Sequence, residues 1–134
     1  MRVFLDTNVL VSAFAARGLC ADLFELILLE HELIVGAATL DELRGALTRK
    51  IRLSTSACDE IVGFVRDRAT AFVNTAEPAS AAVDAADARV LGEALEGAAE
   101  VFVTGDAAIQ RLAQIGPLRI VSPRGFWEAR RAAT

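Results

Sequence analysis

Asp6, Glu42, Asp87 and Asp106 are the side chains of this sequence best placed to do chemistry. Asp6 ends a short apolar run rich in β-formers, Arg2 to Leu5, at the head of MRVFLDTNVLVSAF. Asp106 follows Val101-Phe102-Val103 in the same way, within VFVTGD. Glu42 and Asp87 fall in the first turns of two expected helices. In an open α/β sheet, strand ends and helix starts of this kind meet at one edge, where ligands collect. Carboxylates gathered about 4 Å apart would repel by several kcal/mol, and without a cation some would stay protonated. Oxygen-only ligands with no His or Cys select a hard divalent ion, Mg²⁺ or Mn²⁺. Such an ion generates hydroxide and stabilises the oxyanions of an in-line displacement, which is phosphodiester hydrolysis.

Each acid also has a plainer reading. Asp6 or Thr7 caps the helix that follows, and Asp106 caps another. Glu42 completes a capping box begun by Thr39, and Asp87 stands in the same relation to Asp84. His31, the single histidine, falls at a helix end before a strand, as a surface or capping residue. With no second His, a zinc hydrolase or a histidine general base lacks support. Cys20 and Cys58 are too few and too far apart for a disulfide framework or zinc site. They read as buried free thiols, and a reducing cytoplasm is the expected location.

The elements that must position these acids alternate strand and helix. After the first strand, a helix is predicted over Val9 to Ala15, then a turn at Arg17-Gly18. A second helix runs from Ala21 to Glu30, with Leu23, Phe24, Ile27 and Leu28 at helical spacing. Glu32 to Val35 reads as a strand closed by Gly36. A helix follows from about Thr39, with Leu40, Leu43 and Leu47 as its apolar stripe. A loop over Arg49 to Ser54 leads to a long helix, Ser56 to about Val73, opened by Ser56 with Asp59 and burying Ile61, Phe64 and Val65. Asn74 to Val83 reads as a loop. The Asp84–Asp87 helix start continues through Val90, Leu91, Ala94 and Leu95 to Gly97. Beyond Val101–Val103 come a short helix, Ala107 to Gln114, and a strand, Leu118 to Val121. A last helix opens at Pro123 and contains Phe126 and Trp127. This alternation predicts a three-layer α/β/α fold around a mostly parallel sheet, as one domain over residues 1–134.

Composition narrows the function. The chain is 54 % hydrophobic with a mean hydropathy of +0.41. Even so, Leu19 to Val35 is broken by Asp22, Glu25, Glu30, His31 and Glu32 and is no membrane span. With a strand expected from residue 2, no signal peptide is predicted at the N-terminus. The net charge of −4 is unusual for a nucleic-acid binder. If bound metal neutralises the four acids, however, the remainder is balanced. Arg44, Arg49, Lys50 and Arg52 form one local basic cluster and Arg124, Arg130 and Arg131 another.

LDTNVLVSAF, Glu42 in LDEL, DAADARVLGEAL and the strand-terminal VTGD together resemble the PIN-domain ribonucleases, closest to the toxins of bacterial type II toxin–antitoxin systems. The resemblance runs from Arg2 to about Phe126. It implies a Mg²⁺- or Mn²⁺-dependent endoribonuclease with Asp6, Glu42, Asp87 and Asp106 as metal ligands. Asn8 and Thr104 would orient carboxylates or bound water, and Gly105 would permit a tight turn beside them. RNA is then the expected substrate, a cognate antitoxin the expected partner, and a homodimer the expected assembly. Relatives carry Asp-Pro-Asp-Asp where this chain has Asp84-Ala85-Ala86-Asp87, a thinner charge for a second metal; Asp84 reads as a cap first and an accessory ligand second. Two rival readings are a phosphatase of the haloacid-dehalogenase kind with Asp6 as nucleophile, and a non-catalytic PIN-fold protein that binds RNA or a partner. The phosphatases place a second Asp two residues after the first, where this chain has Asn8. Leu26 and Leu29 extend the apolar surface of the second helix, and with Val9, Leu10 and Phe14 they suggest an exposed patch for a partner.

Overall fold

The computed structural model describes residues 1–79 and 83–133. Its elements are β1 (Arg2–Leu5), α1 (Thr7–Ala15), α2 (Leu19–Glu30), β2 (Glu32–Gly36), α3 (Ala37–Arg49), α4 (Thr55–Arg68) and β3 (Ala71–Val73). They continue with α5 (Ala85–Glu96), β4 (Val101–Val103), α6 (Ala107–Gln110), β5 (Gln114–Ile115), β6 (Leu118–Val121) and α7 (Pro123–Ala133). The six strands form one sheet in the order β3-β2-β1-β4-β6-β5. All pairs are parallel except β5 with β6. The expected three-layer α/β/α architecture is present.

Alternation along the strands divides the interior in two. Val3, Leu5, Leu33, Val35, Val101 and Val103 face one side and pack with α1, α2, α3, α4 and Phe126 of α7. Phe4, Ile34 and Phe102 face the other and pack with Val90, Leu91 and Ala94 of α5 and Ile109 of α6. Phe4 and Phe102 stack across β1 and β4 with ring centroids 5.6 Å apart. Both strands are buried on both faces, which is why they read as continuous apolar runs. Chain order reverses between β1 and β4. Their carboxyl ends therefore open on the crevice where such sheets hold ligands.

Several boundaries differ from the sequence expectation. The helix predicted to reach Val73 ends at Arg68, and Ala71–Val73 is an edge strand instead. There the Thr70 amide donates to Leu33 O at 2.8 Å, and Ala71, Phe72 and Val73 register with Ile34, Val35 and Gly36. Pairing with the open edge of β2 outweighs further helix growth. Ser54, not Ser56, caps α4, accepting from Ala57 N at 3.1 Å, while Asp59 pairs with Arg44. Phe64 is 39 % exposed; Cys58, Val62 and Val65 form the buried side. The helix expected to reach Gln114 stops at Gln110, because Gln114-Ile115 folds back on β6 through Gly116-Pro117. Gly116 takes φ +55° there, a left-handed conformation that suits glycine. Residues 74–79 and 83 lack regular structure, as expected of a loop, while residues 80–82 of that stretch lie outside the described residues.

The apolar excess of α2 has a simpler explanation than a docking patch. Leu23, Phe24, Leu26 and Ile27 are all buried, as are Val9 and Leu10 of α1; only Leu29, at 77 % exposure, projects freely from this group. Phe14 is half-buried against Phe24 and Phe64. Of the two cysteines, Cys58 is buried and Cys20 only partly so, and both are free. Among the described residues no helix is long and apolar enough to cross a membrane. Leu26→Glu should therefore cost about 3 kcal/mol or more in urea unfolding, by placing a charge in the core. Leu29→Glu should stay within about 0.5 kcal/mol of wild type. Equal losses in the two variants would contradict this placement of α2.

Candidate active site

Asp6 is the last link between the two central strands. Its amide donates to Val103 O at 2.9 Å, while its side chain, only 5 % exposed, turns into the crevice. Oδ1 accepts from the Thr7 amide at 2.8 Å, which caps α1. Oδ2 accepts from Thr104 Oγ1 at 2.7 Å and from Asn8 Nδ2 at 3.0 Å. Burial pushes the carboxyl above its ordinary pKa, the hydrogen bonds from Thr104, Thr7 and Asn8 draw it back, and the charge of Asp106 adds to the rise.

Thr104 joins the two strand ends. Its amide still pairs with Val121 O at 3.0 Å, continuing β4 against β6. Its hydroxyl donates to Asp6 and accepts from the Asp106 amide at 3.0 Å; its carbonyl accepts from Gln110 Nε2 at 2.7 Å. Asn8 bridges the same two segments, since its Oδ1 accepts from Gly105 N at 3.0 Å. Asp106 caps the short α6, Oδ1 accepting from Ala108 N at 2.7 Å and Ile109 N at 3.2 Å. Gly105 is not in the left-handed region, and a methyl group there would meet Asn8 Oδ1 at 3.4 Å, an ordinary contact. The expected need for a tight turn at this glycine is not what the backbone shows.

The other two acids arrive on helices. Glu42 is partly buried on α3, one turn after Thr39, but the two do not form a capping box. Glu42 Oε2 accepts instead from Thr7 Oγ1 at 2.8 Å, and Thr39 is buried and turned toward Glu93 of α5. Helix α3 starts two residues earlier than its Thr39 suggested, with Gly36 at its cap. Burial raises the Glu42 carboxyl; the Thr7 bond opposes this, and the charges of Asp6, Glu93 and Asp84 reinforce it. Asp87 lies in the first turn of α5, its amide donating 2.9 Å to Asp84 Oδ1, the cap of that helix. Its carboxyl is pushed up to about 6, first by desolvation and then by Asp84, Asp6, Asp106 and Glu42.

All four acids line one cleft of about 340 Å³, together with Thr7, Asn8, Val11, Ser12, Ala46 and Lys50. A more apolar cavity of about 390 Å³ at the opposite edge, beside His31 and Phe126, includes none of them. The four carboxylates of the cleft, oxygen donors with no His or Cys among the lining residues, have the chemistry of a hard divalent cation's ligands. Among the described residues, however, no group of three or more His, Cys, Asp or Glu is arranged to hold a metal ion. Both oxygens of Asp6 are engaged by protein donors. Sequence reasoning missed Thr7 as the partner of Glu42 and missed Glu93 entirely, and it read Lys50 only as part of a basic cluster. An acid between Gly92 and Ala94 on the apolar stripe of α5 was the available signal for Glu93.

The raised carboxyls set the sign of a pH dependence. A group whose folded pKa exceeds its unfolded value stabilises most below the unfolded value and loses that contribution as pH rises through the folded one. For Asp87 the window runs from about 4 to about 6, and Asp6 and Glu42 act in the same direction. Thermal melts in EDTA should show Asp87→Asn with a higher Tm than wild type at pH 7.5 and no such advantage at pH 4. A lower Tm for the variant at pH 7.5 would contradict charge crowding at Asp87.

The chain matches the family model of the PIN domain over residues 2–108. Among solved structures it is similar to VapBC2 from Rickettsia felis bound to a DNA fragment from their promoter. That match has a TM-score of 0.66 and 14 % identity, covering 91 % of this chain and 98 % of the other. It is also similar to FitAB bound to an IR36 DNA fragment, with a TM-score of 0.61 and 17 % identity over 90 % and 94 % of the two chains. At these identities the likeness is one of fold. No curated protein matches the sequence. With the family model spanning most of its length, the chain belongs to the PIN domain family.

Proposed function

We propose that this PIN domain is a divalent-metal-dependent endoribonuclease and the toxin of a toxin–antitoxin pair. The observation that carries the reading is the convergence of Asp6, Glu42, Asp87 and Asp106 on one cleft, with Asp87 pushed up to about 6 first by burial and then by the neighbouring acids. Those four carboxylates would hold the ion. When bound, Mg²⁺ or Mn²⁺ supplies Lewis acidity toward a phosphodiester and lowers the pKa of water to a useful range.

The chain's own residues supply orientation. Thr104 and Asn8 hold Asp6 Oδ2, Thr7 holds Glu42 Oε2, and the Ala108 and Ile109 amides hold Asp106 Oδ1. Glu42 and Ala46 on α3 and Lys50 at its C-terminal cap follow at four-residue spacing and line the cleft in turn. Lys50 can neutralise a phosphate of the RNA away from the scissile bond. The two similar solved structures are complexes with DNA. This chain's net charge of −4 leaves DNA contact to a partner, the role proposed for an antitoxin. For self-association, Leu29 and Phe64 are the exposed apolar groups of α2 and α4.

The arrangement short of a closed metal site favours one second reading, a PIN-fold protein that binds RNA or a partner without cleaving. A phosphatase using Asp6 as nucleophile is disfavoured. The residue two positions on is Asn8, committed to Asp6 and Gly105. Purified protein should cut single-stranded RNA with Mg²⁺ or Mn²⁺ and stop in EDTA. Asp6→Asn and Asp106→Asn should each lose at least about 100-fold while folded by circular dichroism. RNA binding without cleavage at any metal concentration would establish the second reading, and a phospho-enzyme trapped on Asp6 the third. Lys50→Ala should raise KM and flatten its salt dependence, with kcat near wild type.

A further inference from the structure

One buried carboxylate takes no part in the chemistry proposed above. Glu93, on α5 six residues after Asp87, is 2 % exposed. It does not line the acid cleft but lies across α5, against the start of α3. Its Oε2 accepts from the Ala38 amide at 2.6 Å; its Oε1 accepts from the Thr39 amide at 3.1 Å and the Thr39 hydroxyl at 2.8 Å. Those amides belong to the second and third residues of α3, whose cap, Gly36, has no side chain to offer them. A helix start with free N–H groups and a positive dipole end is where an anion belongs. Here the anion comes from a different helix, on the opposite side of the sheet.

Gly36 is shaped to this carboxylate. A methyl group at residue 36 would stand 2.0 Å from Glu93 Cδ, so the β2–α3 junction leaves the space of a side chain for a neighbour's acid. The two helices so joined carry Glu42 and Asp87. Asp6 and Asp106 are set by adjacent strands and by Thr104, but Glu42 and Asp87 arrive from helices packed in separate cores. We infer that Glu93 is a positioning residue. By capping α3 from α5 it holds Glu42 at a fixed offset from Asp87, so that both acids present to one cation. The inference rests on reading the cleft as a metal-dependent nuclease site.

The test is calorimetric titration of the full chain with Mn²⁺, run beside RNA cleavage. Glu93→Gln removes the charge and leaves one acceptor. Gly36→Ala leaves Glu93 intact but takes its place, and the flexible end of the side chain can yield. Both should weaken Mn²⁺ binding about tenfold, with kcat at saturating Mn²⁺ within about threefold of wild type. Leu91→Ala, in the core on the same helix, should lower Tm and leave the Mn²⁺ affinity unchanged. Wild-type affinity in both Glu93→Gln and Gly36→Ala overturns the inference, as does equal weakening by Leu91→Ala. If Glu93→Gln does not fold, Gly36→Ala decides by the same criterion. A wild type that binds no Mn²⁺ overturns the nuclease reading itself, a result separable from loss of positioning alone.

Discussion

The carboxyl edge of this protein depends on one hydrogen bond, from Thr104 Oγ1 to Asp6 Oδ2, 2.7 Å long and shut away from water. A buried carboxylate without such donors costs several kcal/mol, whereas a bond to a charged acceptor returns about 1.5–3 kcal/mol. The bond also joins the two segments that leave the central strands, so it fixes where the crevice lies. Phe4 against Phe102 on one face, and Val3 and Leu5 beside Val101 and Val103 on the other, keep those strand ends from drifting. Position at the edge is thus set by the two cores, and orientation by Thr104 and Asn8.

Capping and metal binding were framed by the sequence as competing accounts of each acid. In the folded chain the capping reading holds for Asp6, Asp106 and the Asp84–Asp87 helix start and is compatible with a shared cleft, whereas Glu42 takes part in no cap. Asp6 accepts from the first amide of α1, Asp106 from two amides of α6, and Asp84 from the Asp87 amide of α5. Helix starts directed at the same cleft bring partial positive charge to it, which offsets part of the repulsion among the acids. The offset is incomplete: burial raises the carboxyls of Asp6, Glu42 and Asp87 first, and in each the charge of at least one neighbouring acid adds to the rise. What remains is a standing preference for positive charge in the cleft.

Much of the fold was legible in the sequence because the central strands are buried on both faces. Arg2–Leu5 and Val101–Val103 announce themselves as apolar runs that stop at polar residues, and Glu32–Val35 as one that stops at Gly36. The edge strands do not. Ala71–Val73 and Gln114–Ile115 are three and two residues long, and each follows a helix with no glycine or proline between. Only pairing with β2 or β6 decides their state. Around the cleft, local spacing pointed to a bond between Thr39 and Glu42, whereas each found a partner far along the chain, in Glu93 and Thr7. Such contacts leave little trace in local periodicity beyond a charged residue on an otherwise apolar stripe.

The register of β1 with β4 carries a consequence in time. Val3 pairs with Val101, and the Asp6–Thr104 bond spans 98 residues. At about 5–20 residues per second, a ribosome needs on the order of 5–20 seconds to travel between them. For most of that interval the nascent chain has Asp6, and later Glu42, but no β4 for β1 to pair with, and its central sheet waits with one side open. A site completed by a late strand is one that a partially made chain does not possess.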